Sequence, residues 1–397
     1  MNTRKTGKLA LLPVFLLAIA LLFPAQSSAG SNDEGMEIGI WLNRHIMAEG
    51  EAAIVEFMDQ AEQRGINVIL PNYWFHGYVI YPGSRYVRQH PDFIGKDPLA
   101  IVFREARERG MEVHPFGEYG FFAHFHYGDT DPGEESKGYI LQENPDWIVR
   151  DRDGELYHYV PVYDAYYYSL NPAHPGARRF LADVLLEVMD LYPESDGLHL
   201  DRMRYQDPDY SYDDYSLKAF EAIHGTNPLE AAPEDPDAYA PWVRFREDQI
   251  NNFITILSDD LRRKHPDALL TAAVVPPYFM RDKFQRWDEW AHRGQLDVAI
   301  PMMYGSPELV RRELEQVLSL LPANVPVWGG ISLGAGEEAT IDSMDVLSAH
   351  GVPGVVLWDD AAFMEQELDF TPWATGERRG ELPDDAEEEV EEHPELY

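Results

Sequence analysis

The chain has no cysteine in 397 residues. That excludes a disulfide framework, a thiol nucleophile and a cysteine-linked lipid anchor. Lysine is nearly as scarce, at 7 against 25 arginines. Acids outnumber bases 70 to 32, for a formal net charge of −38. A surface this acidic disfavours nucleic acid and anionic membranes as partners. No Gly-x-Gly-x-x-Gly, phosphate loop or Gly-x-Ser-x-Gly elbow is present, so no cofactor is expected. Gly329-Gly330 and Gly334-x-Gly336 read as strand-end turns. His114, Glu118, His124 and His126 match no metal-ligand spacing such as His-Glu-x-x-His, and no metal is expected.

The N-terminus reads as a secretory signal over residues 1–29. Arg4, Lys5 and Lys8 precede a short apolar run at 9–23, and Ser27-Ser28-Ala29 offers small residues for cleavage. A secreted or periplasmic location follows, with no other membrane association. Secretion without disulfides points to a bacterium. Residues 377–397 form a Glu-rich tail without apolar periodicity, expected to be solvated and disordered. The acidity also extends over the body, which suits high-salt surroundings.

Between these ends, strands and helices alternate. Apolar runs at 38–42, 67–74, 112–116, 197–201, 269–275, 296–303, 325–331 and 355–358 read as eight strands. Helical spacing covers 53–64, 99–109, 177–191, 242–264, 307–321 and 337–350, several ending at glycine. This predicts a (β/α)8 barrel of the TIM type over residues 36–375. Two connections are long, 118–171 after the third strand and 206–241 after the fourth. Long ordered loops at the C-terminal ends of barrel strands are the usual place for function. A hairpin is expected at 147–159, with Asp153-Gly154 at its turn.

The fourth strand, Gly197-Leu198-His199-Leu200-Asp201, ends on a carboxylate. Side chains alternate along a strand, so His199 and Asp201 share the inner face and the leucines face the helices. By the same parity Glu118 ends the inner face of the third strand. Strands lie about 4.8 Å apart, which places the two carboxyls roughly 5–9 Å apart. That range covers both arrangements used in glycoside hydrolysis, and crowding holds one acid protonated. A capping role for Asp201 is the competing reading. The eighth strand leads into Asp359-Asp360, where either acid would enter the mouth or cap a helix. Tyr304 ends the sixth strand. Aromatic residues crowd the same face, including Tyr73, Trp74, Tyr78, Tyr81, Trp147, Tyr157, Tyr159, Tyr163 and Tyr166-Tyr167-Tyr168. Their flat rings suit sugar faces.

These residues resemble the bacterial glycosyl hydrolase-like 10 family. The likeness rests on Gly39-Ile40-Trp41-Leu42, on Gly65-Ile66-Asn67-Val68 with Gly77-Tyr78-Val79-Ile80-Tyr81-Pro82, and on Leu170-Asn171-Pro172-Ala173-His174-Pro175. Asp196-Gly197-Leu198-His199-Leu200-Asp201 with Arg204-Tyr205, and 296–304, complete it. The resemblance implies a secreted β/α barrel acting on a glycan, with Asp201 as the family's strand-four acid. The resulting expectation is an O-glycoside hydrolase with Asp201 and Glu118 as its carboxylate pair. Substrate contacts are expected from His199, Arg204, Tyr73, Trp74, Asn171, Tyr304 and Asp360. The alternative is a barrel that binds glycans without cleaving them.

Overall fold

A computed structural model describes residues 35–128, 136–161, 164–231 and 233–381. The signal expected at 1–29, Tyr163, and the tail from 382 onward lie outside the described residues.

Nine short strands build two parallel sheets. One has the order β8 (Trp328–Ser332), β9 (Gly354–Trp358), β1 (Glu37–Leu42), β2 (Val68–Pro71) and β3 (Glu112–Val113). The other runs β7 (Val298–Pro301), β6 (Leu269–Val274), β5 (Gly197–Leu200) and β4 (Phe116–Gly117). Isolated parallel bridges join them on both sides: Asn72 with Phe116, and Ala299 with Val327 plus Met302 with Gly330. Strands buried on both faces explain the unbroken apolar runs. Gly330 sits inside β8, not at a strand-end turn, because a Cβ there would lie 2.8 Å from the Pro301 carbonyl. The bare backbone lets β7 and β8 approach.

Helices α1 (Glu51–Gln63), α2 (Pro98–Arg109), α3 (Pro175–Leu191), α4 (Pro236–Lys264), α5 (Pro307–Leu320) and α6 (Glu337–Ala349) cover the sheets. Helix α3 is typical. His174 Nδ1 accepts from the Gly176 amide at 3.1 Å and Pro175 opens the helix. Leu181, Val184, Leu185 and Val188 then form its buried stripe. Burying such side chains is worth roughly 1.5–3 kcal/mol each.

Three expectations are corrected. The strand read at 67–74 stops at Pro71. Trp74–Phe75 instead pairs antiparallel with Tyr78–Val79 across His76-Gly77, both at positive φ (54° and 82°), the geometry of a two-residue hairpin turn. The third strand splits into β3 and β4 at His114-Pro115, since proline has no amide to continue a ladder. The hairpin expected at 147–159 does not form as such. A local turn closes where the Asp151 amide donates to the Glu155 carbonyl at 3.1 Å. Tyr157–Val160, however, pairs with Ala165–Ser169, which also pairs with Phe122–Tyr127. The 118–171 connection is thus a three-stranded aromatic sheet beside the mouth. The 206–241 connection carries a helix, Asp214–His224, packed through Phe220 on Trp242 and Phe245. No described helix is long and apolar enough to cross a membrane.

Candidate active site

At the C-terminal ends of the strands lies a cavity of about 110 Å³, lined in part by Trp41, Asp201, Arg202, Arg204, Tyr304 and Trp358. Asp201 follows β5 directly, and its Oδ1 accepts from the Arg202 amide at 2.5 Å. Arg202 has φ +52°, in the left-handed region, so the chain turns sharply here. Gly120 makes that turn possible. A Cβ at Gly120 would lie 2.6 Å from the Asp201 carbonyl oxygen and 2.5 Å from that of Arg202, so the loop after β4 closes onto the end of β5 only without a side chain.

Glu118 is held one residue beyond β4, 7% exposed. Asn72 Nδ2 donates a short hydrogen bond to Glu118 Oε2, which leaves Oε1 to carry a proton. Burial lifts the Glu118 carboxyl to about 7; Arg202 opposes that shift and the charge of Asp201 adds to it. Burial also leaves Asp201 above its ordinary value, against the opposing pull of Arg202, Arg204 and the Arg202 amide. The two acids therefore interact electrostatically, Asp201 on the cavity wall and Glu118 outside its lining, and burial raises both. A buried acid raised to about 7 beside a second carboxylate supplies a group able to give a proton near neutral pH.

Asp360 is 3% exposed and clamped by the Asn43 amide and Asn43 Nδ2, both at 2.9 Å. Burial raises it to about 6, and its charge reaches Glu118. Asp359 takes the capping role instead, its Oδ1 accepting from the Ala362 amide at 3.0 Å. Tyr304 and Arg204 face the cavity together.

Five expected contacts lie outside the cavity lining, the clamped Asp360 among them. His199 is fully buried one layer below, its Nε2 accepting from Trp41 Nε1 at 3.0 Å and its Nδ1 bonded to Thr271 Oγ1 at 2.8 Å. Burial pushes its pKa down, so it is neutral and holds the Trp41 ring in place. Tyr73 donates to the Leu185 carbonyl of α3 at 2.9 Å, and Trp74 Nε1 to the Gly120 carbonyl at 3.1 Å. Both were assigned to the mouth by running β2 too far; the position that faces Glu118 is Asn72. Asn171 is a loop staple. Its Nδ2 donates to Asp213 Oδ1 at 2.7 Å and its Oδ1 accepts from the Ala173 amide at 2.8 Å. Replacing Asn171 with Ala takes the acceptor from the buried Ala173 amide and one donor from Asp213, which keeps Ser216, and should cost about 1–3 kcal/mol. Thermal denaturation should show the loss, while glycan affinity stays within about twofold if the residue only staples.

The sequence reading passed over Arg44, Asn72, Arg202 and Lys283, which reach the acids or each other through charge or hydrogen bonding. Asn72 was legible in principle, as the residue following a strand that ends in proline. His124 and His126 lie on the aromatic sheet, and no group of three metal-ligating side chains forms among the described residues.

The sequence model of the glycosyl hydrolase-like 10 family matches residues 39–331. The chain belongs to the glycosyl hydrolase-like 10 family. This glycosyl hydrolase-like 10 chain is 24% identical over 280 residues to the glycosyl hydrolase YngK of Bacillus subtilis, covering 65% of this chain and 50% of YngK. It is 23% identical over 369 residues to an S-layer-related protein of Niallia circulans, covering 77% of this chain but 22% of that protein. The chain thus spans half or less of both relatives. Its fold is shared with the glycoside hydrolase domain of PgaB (BpsB) from Bordetella bronchiseptica, at a TM-score of 0.60, 12% identity, and coverage of 85% and 98%. Membership of a glycosyl hydrolase-like family supports a glycosidase function and a glycan substrate.

Proposed function

We propose that this protein is a secreted glycoside hydrolase that cleaves O-glycosidic bonds of a polysaccharide or cell-wall glycan. What supports the reading is a buried Glu118, raised to about 7, within electrostatic reach of Asp201, which lines the cavity with Arg202 and Arg204. Glu118 gives its proton to the glycosidic oxygen as the C1–O bond breaks. The Asp201 carboxylate stabilises the positive charge developing at C1, by direct attack or by activating water. Trp41 and Trp358 offer rings 6.0 Å apart, in an edge arrangement, against which a sugar face would pack.

Three further parts belong to this reading. The two sheets and their bridges are taken as one closed (β/α)8 barrel spanning 36–375. Residues 1–29 are taken as the export signal, in keeping with a relative named for the S-layer. The acidic surface is taken as an adaptation to salt. The test is reducing-end release from a panel of polysaccharides and denuded peptidoglycan strands, in both low and molar salt. Release from one glycan, with new chain ends rising linearly in time, is the expected result. Retention of a glycan without any release would favour the binding-only alternative and overturn the hydrolase.

A further inference from the structure

Across the described surface most arginines sit in ion pairs, as with Arg109 and Glu105 at 2.7 Å or Arg262 and Asp297 at 2.6 Å. The mouth is different. Arg204 is 2% exposed, and neither its Nε nor its Nη1 has a hydrogen-bond partner. Arg202 Nε is buried and unpartnered too, as Nε is in Arg109, Arg178 and Arg179; Arg202 makes no ion pair among the described residues, and its guanidinium lies over Tyr119 and Phe122, at 5.7 and 5.8 Å from their ring centres. Neither arginine comes within ion-pair distance of Asp201, although both feel its charge. Lys283 stands nearby with its Nζ donating to the Gln206 carbonyl at 2.9 Å.

Holding Asp201 ionised does not require two guanidiniums with idle donors. A buried guanidinium left without acceptors is costly, and that cost persists unless a ligand removes it. Two cations and one carboxylate, Arg202, Arg204 and Asp201, are the charged residues of the cavity lining, inside a chain whose net charge is −38. Arginine's planar fork matches a carboxylate or a sulfate, two parallel donors to two oxygens.

We propose that the sugar bound beside Asp201 carries an anionic substituent, a carboxylate or a sulfate ester, which Arg204 engages and Arg202 supports. The proposal rests on the hydrolase reading for the sugar, but its test reads binding and not cleavage.

The experiment is calorimetric titration of the full chain with two matched pairs. One pair is tetragalacturonate and its carboxyl-reduced form. The other is a sulfated galactan oligosaccharide and its desulfated form. The expected result is at least tenfold tighter binding of the charged member in one pair, which names the source of the anion. That preference should vanish in Arg204→Gln and partly return in Arg204→Lys, whose retained cation also controls for folding. Equal binding of charged and neutral members would overturn the proposal, as would no binding of either charged oligomer. Reducing-end release from a neutral glycan alongside such a failure would leave the hydrolase standing.

Discussion

Replacing Asp201 with Asn should lower kcat on the cleaved glycan by about 10²–10⁴-fold, the usual scale for a carboxylate acting at the reacting centre. That is roughly 3–5 kcal/mol of transition-state stabilisation. The variant is informative because Asn keeps what the structural reading of Asp201 needs. Its Oδ1 can still accept from the Arg202 amide, the 2.5 Å bond that shapes the turn. What disappears is the negative charge between Arg202 and Arg204. A residue that merely caps the end of β5 would lose little activity in this exchange. Initial rates across substrate concentration, with affinity measured separately, divide the two cases. A fall in kcat with affinity held within a few fold assigns Asp201 to the chemistry. Full activity in the variant would remove it from the mechanism, and the carboxylate-pair reading with it.

The acids were legible because a strand's parity and its last residue fix which side chains reach the mouth. Asp201 and Glu118 follow that rule, whereas Arg204 enters only with the family resemblance, since it lies beyond the turn at Arg202. Parity gives the face of a strand but not the depth. His199 shares the inner face with Asp201 yet lies a layer lower, sealed by Trp41 and Thr271. Tyr73 and Trp74 were misplaced for a different reason. The run 67–74 resumes with Tyr73-Trp74 after Pro71-Asn72, so the apolar pattern carries on past the true end at Pro71 and does not mark the hairpin across His76-Gly77. Other features depend on contacts distant in sequence. Asn43 clamps Asp360 from 317 residues away, and no local pattern encodes such a pair. Arg202 was hidden by its own backbone, since φ +52° breaks the alternation that parity relies on. The aromatic sheet shows the same limit. Ala165–Ser169 takes the central place because it pairs on both edges, whereas the Asp-Gly turn signalled only a local reversal.

The pH dependence of the reaction should show which acid gives the proton. Glu118 must be protonated to protonate the leaving oxygen, so activity falls as pH rises through about 7. Glu118→Gln should remove that alkaline limb and cut the rate on the natural glycan by about 10²–10⁴-fold. On an aryl glycoside whose leaving group needs no proton, the same variant should lose far less, whereas Asp201→Asn loses activity on both. Stability gives an independent reading of the same carboxyl. Its pKa in the folded state is raised above the ordinary 4.5, so the folded protein binds this proton more tightly than the unfolded chain. The associated stability is complete below about 4.5 and is lost as pH climbs towards 7, by an amount on the order of 3 kcal/mol. Asp360, raised to about 6 by burial, adds a loss of the same sign over a lower range. Gln at position 118 carries no charge at any pH. The melting temperature of Glu118→Gln relative to wild type should therefore rise between pH 5 and pH 8. A gap that stays constant over that range would mean Glu118 is already ionised at pH 5, and would return the donor's role to another group. A gap that widens while the alkaline limb disappears would tie the buried proton on Glu118 to the chemical step.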